Sequence, residues 1–311
     1  MNTSCSQLLA PSSIGAAERW IQYAVRQGVK SFDLELYLRE EDDSKKQKER
    51  GKERLVMALD ELPSSAKLET LALDLSNARV RLPATVVFPS LVDLTLQSME
   101  VAGDSSHLFA GLLSSPRLKK LRMHKVKLTG LHDILIQVGT LLELSLGSMS
   151  EMRSLELRTP NLRVFCIETC FKLEALTVLA PRLEDLKFWY NPYLIHIEGE
   201  LHCSRLLELN LSSHSHRNND DNNGSIRLLQ HCSSIRVLTL YLLIKRNMVY
   251  CIDIIKGRLP PLPHVTSLAI DVHLLWEQHS LGDNLASLLT GFNNLRNLEI
   301  QLYNAYIDNN V

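Results

Sequence analysis

Along most of the chain, apolar residues return in one phrase, L-x-x-L-x-L, with polar residues filling the gaps. It stands at Val29/Phe32/Leu34, Leu68/Leu71/Leu73, Leu91/Leu94/Leu96, Leu118/Leu121/Met123 and Leu141/Leu144/Leu146. It continues at Leu162/Phe165/Ile167, Leu183/Leu186/Phe188, Leu206/Leu209/Leu211, Ile235/Leu238/Leu240, Val265/Leu268/Ile270 and Leu295/Leu298/Ile300. The last two apolar positions of each phrase are two apart, so they share one face of a short strand, and the residues between them face the other way. In KLEALTVLAPRLEDLKF, from Lys172 to Phe188, the phrase also recurs after about ten residues, at Leu173/Leu176/Val178 and again at Leu183.

No single strand of this kind can bury its apolar face alone. Stacked in parallel at about 4.8 Å, successive strands merge their leucines into one core. The units recur every 21 to 39 residues, inside or near the range of leucine-rich repeats. The expected fold is an α/β leucine-rich repeat solenoid, with a curved parallel sheet on the concave side and helices and short strands on the convex side. Residues 1–28 are read as an N-terminal segment and capping helix, and 29–311 as a repeat domain of about eleven irregular units. Apolar spacings of three and four predict helical returns at His107–Ser115, Leu131–Val138, Ser225–Cys232 and Asn284–Phe292. Between about residues 141 and 206 the returns are strand phrases instead, as in MRSLEL from Met152. Each coil there carries a concave and a convex strand, and Thr159-Pro160 and Ala180-Pro181 end the convex ones, because proline donates nothing to a ladder. Three segments interrupt the array. Arg39–Arg54 is a mixed-charge run read as a solvated loop or helix start, and His214–Ser225 is a polar loop with no reason to pack. Leu259–His264, LPPLPH, is a proline-stiffened turn before the next strand.

Composition narrows the function classes. The 311 residues carry a net charge of −1, which gives no electrostatic reason for nucleic acid or an anionic membrane as partner. No apolar run reaches the ~20 residues of a membrane-spanning helix, and the first twenty residues lack the basic-then-apolar order of a secretory signal. The cysteines Cys5, Cys166, Cys170, Cys203, Cys232 and Cys251 are irregularly spaced, so a reducing compartment, cytoplasm or nucleus, is expected.

AAERWIQYAVRQGVKSFDLELYL, from Ala16, resembles the segment that follows the F-box in plant F-box/LRR (RNI-like) proteins. There a helix reading R-W-x-x-x-A-x-x-x-G-V runs into the first strand, here through Arg19, Trp20, Ala24, Gly28 and Val29. FPSLVDLTL from Phe88, SSPRLKKLRM from Ser114 and the stretch Thr159–Phe188 also read like that family, so the resemblance spans the chain from about residue 14. The resemblance implies the substrate-recognition domain of an SCF ubiquitin-ligase receptor. The F-box itself, with its L-P-x-x-[IVL]-L phrase, is absent from this chain, so a Skp1-type adaptor is a partner only if an F-box is supplied upstream. The alternative is a stand-alone LRR scaffold, or an LRR fragment of an intracellular immune receptor with no ubiquitin-ligase role. At the position nine residues into each phrase, where the standard repeat carries Asn or Cys, Cys170 and Asn191 conform, whereas Met99, Val126, Met149, His214 and Leu243 do not.

No G-x-S-x-G, P-loop, G-x-G-x-x-G or H-E-x-x-H occurs, and acidic residues are dispersed with the repeats, so neither an enzyme nor a cofactor is expected. Cys166 with Cys170, and the dipeptides His202-Cys203 and His231-Cys232, invite a metal reading but lack ligand spacing, and are read as structural. What remains is a binding surface on the concave strands for a protein substrate or peptide. Its candidates are Lys120, Arg122, His124, Lys187, Trp189 and Tyr241, since large amphipathic rings are enriched where partners bind. Arg122 and Lys187 could pair with an acidic peptide or a ligand carboxylate. Against this, Trp189 could simply pack beneath the WYNPY turn, and the cations could be an ordinary solvated face. Trp20, on an amphipathic helix with Ala16, Ala17, Tyr23, Ala24 and Val25, is expected to cap the first coil.

Overall fold

The computed structural model describes residues 6–9, 14–38, 56–58, 67–81, 89–102, 115–191, 194, 196–201, 203–212, 215–216, 219–220, 223–232, 234–244, 260–274 and 282–304. The chain divides into two compact units, residues 1–152 and 153–311, and each is α/β, built on parallel strands.

In the first unit, β1 (Ser6–Leu9), helix α1 (Ile14–Arg26) and β2 (Ser31–Leu38) lead into β3 (Val56–Ala58), β4 (Thr70–Arg81) and β5 (Asp93–Val101). β6 (Lys120–Leu128), β7 (Asp133–Ile136) and β8 (Glu143–Gly147) follow. The sheet runs β1-β2-β4-β5-β6-β8, with β3 alongside β4, and every pair is parallel. Parallel neighbours need a return that brings the chain back to the same end, and between β6 and β8 that return contains β7. The register places Leu34, Leu73, Leu96, Met123 and Leu146 in one row and Phe32, Leu71, Leu94, Leu121 and Leu144 in the next. All ten are buried.

The second unit has two sheets. β10 (Val164–Glu168), β12 (Asp185–Trp189), β14 (Leu206–Ser212), β17 (Val237–Ile244), β18 (Ser267–Leu274) and β19 (Asn297–Asn304) form one. β9 (Ser154–Arg158), β11 (Ala175–Leu179) and β13 (His196–Glu200) form the other. Both are parallel throughout. The chain alternates between them from β9 to β14, which accounts for the phrase returning after about ten residues. Inward residues of both sheets are buried: Phe165, Ile167, Leu186 and Phe188 from one, Leu155, Leu157, Leu176 and Val178 from the other. Full burial of side chains this size stabilises by ~1.5–3 kcal/mol each. Helices α2 (Asn223–His231) and α3 (Gly282–Leu289) form where the spacing predicts them, and α2 packs on β13 and β14. β9 and β11 end at Arg158 and Leu179, immediately before the expected Thr-Pro and Ala-Pro stops. Pro263-His264 forms the expected turn before β18.

One backbone device recurs in both units. Ser98, Lys125, Ser148, Thr169 and Tyr190 have φ between 48° and 52°, each two residues beyond the third apolar position of a phrase. Strict alternation would turn the following residue outward. The left-handed residue acts as a bulge that shifts the parity, so Met99, Val126, Met149, Cys170 and Asn191 are buried at 4% exposure or less.

Several expectations change. Leu131–Val138 is not helical but contains β7: Ile134, Ile136 and Val138 are buried while Leu135 is 44% exposed, a period of two carried by β-branched residues. The phrase at Leu206/Leu209/Leu211 is misaligned by two, because Leu207, not Leu209, lies opposite Leu186. Leu206 is the half-buried partner of Asp185, and buried Cys203 fills the space before the strand. The polar loop His214–Ser225 contains an antiparallel pair, β15 (Ser215–His216) with β16 (Asn219–Asp220), and its last residues enter α2. At the N-terminus β1, which the phrase search missed, adds a strand outside β2. α1 buries Ala17, Ile21 and Ala24, and Trp20 is 36% exposed. The charged run Arg39–Arg54, the stretch His107–Ser115 expected to be helical (apart from Ser115) and His214 lie outside the described residues.

Candidate binding surface

Outward positions follow from the pleat. On β6 they are Lys120, Arg122 and His124, all half-buried and in register with Asp93, Thr95 and Gln97 on one side and Glu143, Ser145 and Gly147 on the other. Lys120 Nζ lies 2.8 Å from Glu143 Oε1. Arg122 Nη1 lies 3.0 and 3.2 Å from the two Asp93 oxygens, and Nη2 lies 3.7 Å from Glu143 Oε2. These cations thus already face carboxylates on both neighbouring strands, and pairs exposed to this degree contribute under about 1 kcal/mol each.

The other three candidates meet in the second unit. Trp189 on β12 and Tyr241 on β17 stand two strands apart with β14 between them, yet their ring centroids are 5.0 Å apart at 67°, edge to face. They meet because the residue between them is short: Asn210, paired with Tyr241 in the ladder, is only 8% exposed on this outer face. Its Nδ2 points at Tyr241 O, at 3.5 Å, and its carbonyl accepts a hydrogen bond from Ser225 Oγ at 2.9 Å. Lys187 Nζ sits 3.0 Å from Glu208 Oε1 and 5.9 Å from the Trp189 ring centroid, within cation–π range. Glu208 is buried, as is Asp185, which pairs with Arg205. Both stand at outward positions of the pleat, in register with Lys187 and Val164 respectively. The indole Nε1 of Trp189 and Oδ1 of Asp185 are buried without a hydrogen-bond partner.

Further along the same face, Asp271 pairs with Tyr241 in the ladder, and His273 stacks on Tyr303 with centroids 4.7 Å apart. Burial pushes the Tyr241 hydroxyl above its ordinary range, and the carboxylates of Glu208 and Asp271 push it the same way. The phrase search stopped at Tyr241 and missed Glu208 as the partner of Lys187, and missed Asp271, His273 and Tyr303 altogether. Carrying the two-residue alternation past Leu268 and Ile270 would have found them.

The thiols are structural in their setting. Cys170 is fully buried, and Cys203 and Cys232 are buried and contact one another. The hydrogen bond between them, together with burial, pushes the Cys203 thiol up, and the same bond pulls the Cys232 thiol down. Among the described residues no group of three His, Cys, Asp or Glu side chains could hold a metal ion, and no helix is long and apolar enough to cross a membrane. No known protein-family profile matches the chain, and no curated protein matches it.

Proposed function

We propose that the chain is a leucine-rich repeat solenoid that holds a protein or peptide on the outer face of the β10–β19 sheet. The observation that carries this reading is the Trp189–Tyr241 pair, which roofs Asn210 on an otherwise regular strand array. Preformed aromatic pairs bury large area at little entropic cost. The face carries Glu168, Asp185, Glu208, Asp271 and Glu299 against Lys187 and Arg205, so the bound segment presents a basic side chain rather than an acidic one. The role resembles substrate recognition by plant F-box/LRR proteins in cytoplasm or nucleus: it binds and positions, and catalyses nothing itself.

Selecting peptides from a displayed library against the whole chain tests this. Ligands should weaken at least tenfold, about 1.4 kcal/mol, in Trp189→Ala and Tyr241→Ala, and hold their affinity in Thr177→Ala on β11 of the other sheet. If every selected ligand ignores both rings, the reading fails. Joined to an F-box, the chain should carry such a ligand to a Skp1-type adaptor and have it ubiquitinated. Binding without ubiquitin transfer would leave the scaffold role and remove the ligase one.

A further inference from the structure

The row that joins Leu186, Leu207, Leu238 and Leu268 ends at Leu298, and the neighbouring row ends at Ile300. On β18 these positions are sealed, with Leu268, Ile270 and Val272 at 1%, 0% and 0% exposure. On β19 the same positions are open: Leu298, Ile300 and Leu302 are 46%, 39% and 61% exposed. Among the described residues β19 is also paired on one side only, with β18. An apolar strand face beside an unpaired backbone edge is the surface that edge strands normally protect with lysine, proline or a bulge. Asn297–Asn304 contains no lysine and no proline, and its single charge is Glu299.

We propose that this edge pairs with the same edge of a second copy, antiparallel and centred on Ile300. The strand is self-complementary in that register. Leu298 faces Leu302 of the second copy and Ile300 faces its own equivalent, so the apolar row continues across the junction. On the opposite face Glu299 meets Gln301 of the second copy, where the carboxylate accepts from the amide as it already does within its own strand, at 2.5 Å. No like charges meet. A register one residue away would set the apolar face of one copy against the polar face of the other. A two-fold contact of this kind closes on itself and stops at two chains.

Sedimentation of the full chain over about a hundredfold range of concentration should show mass rising from one chain to two. Leu302→Lys, at a position already 61% exposed, should keep the fold by circular dichroism and weaken association at least tenfold. Ile300→Cys sets two thiols on the axis, where opposed Cβ atoms lie about 4.5–5.5 Å apart and a small shift allows bonding. Oxidised glutathione should then take two electrons and two protons from that thiol pair, giving a covalent dimer and two reduced glutathiones. The parent chain and Asn297→Cys should not cross-link in this way. A mass of one chain at every concentration would overturn the proposal, as would an open series of larger species, association indifferent to Leu302→Lys, or no Ile300→Cys cross-link.

Discussion

Asn191 shows how much one side chain can do in a repeat. It accepts from the Cys170 backbone N–H at 2.8 Å and donates to Ile167 O at 3.1 Å and Trp189 O at 2.9 Å, all at 4% exposure. It therefore ties the end of β12 to the end of β10 and fixes the backbone beneath the Trp189 ring. Asn191→Ala should strand the buried Cys170 N–H and remove one bond each from Ile167 O and Trp189 O, the latter still accepting from Thr169 N–H, and lower unfolding free energy by about 1–3 kcal/mol, read from the denaturant midpoint at constant slope. This role was legible in the sequence, because the spacing from Leu183 places an Asn where the standard repeat needs one. The Trp189–Tyr241 contact was only half legible. Alternation put both rings on the outer face, but their meeting depends on Asn210 being short and on neighbouring strands pairing in this register, and no local pattern encodes that.

Among the elements, β13 is defined by close approach to β11. Gly199 has φ +93° and stands opposite Val178, where an added Cβ would lie 2.3 Å from Val178 O. Gly199→Ala should cost about 2 kcal/mol or more, through backbone clash and a disfavoured φ together. Gly139→Ala, where nothing lies within 4 Å, serves as the control, and thermal melts of both variants decide the matter. The elements that misled the sequence reading did so for physical reasons. Leu131–Val138 has apolar residues that satisfy both a helical and a strand period over so short a span, and burial on alternate residues chose the strand. Leu206, Leu207, Leu209 and Leu211 allow two settings of the phrase, and pairing with β12 selected the one that turns Leu206 outward.

At the scale of the whole molecule, the two surfaces argued above make separable claims. Trp189 and Tyr241 project from the outer face of strands inside the sheet, whereas Leu298, Ile300 and Leu302 lie on the opposite face of its last strand. Leu302→Lys should therefore abolish self-association and leave peptide affinity within about twofold, and Trp189→Ala should do the reverse. Additivity of this kind is expected for distant sites without shared partners; a double variant measured by sedimentation and peptide titration checks it. The chain's own letters settled the parallel α/β build, the alternation of strands between residues 152 and 206, the proline stops and which residues point inward, because pleat parity and repeat spacing are local properties of covalent geometry. The tertiary structure alone decided the pairing offset at β14, the burial of Glu208 and Asn210 on a nominally outer face, the rings meeting across a strand, and the uncovered row on β19. Each of those depends on which segment lies alongside, and a neighbour distant in sequence leaves no mark on local periodicity.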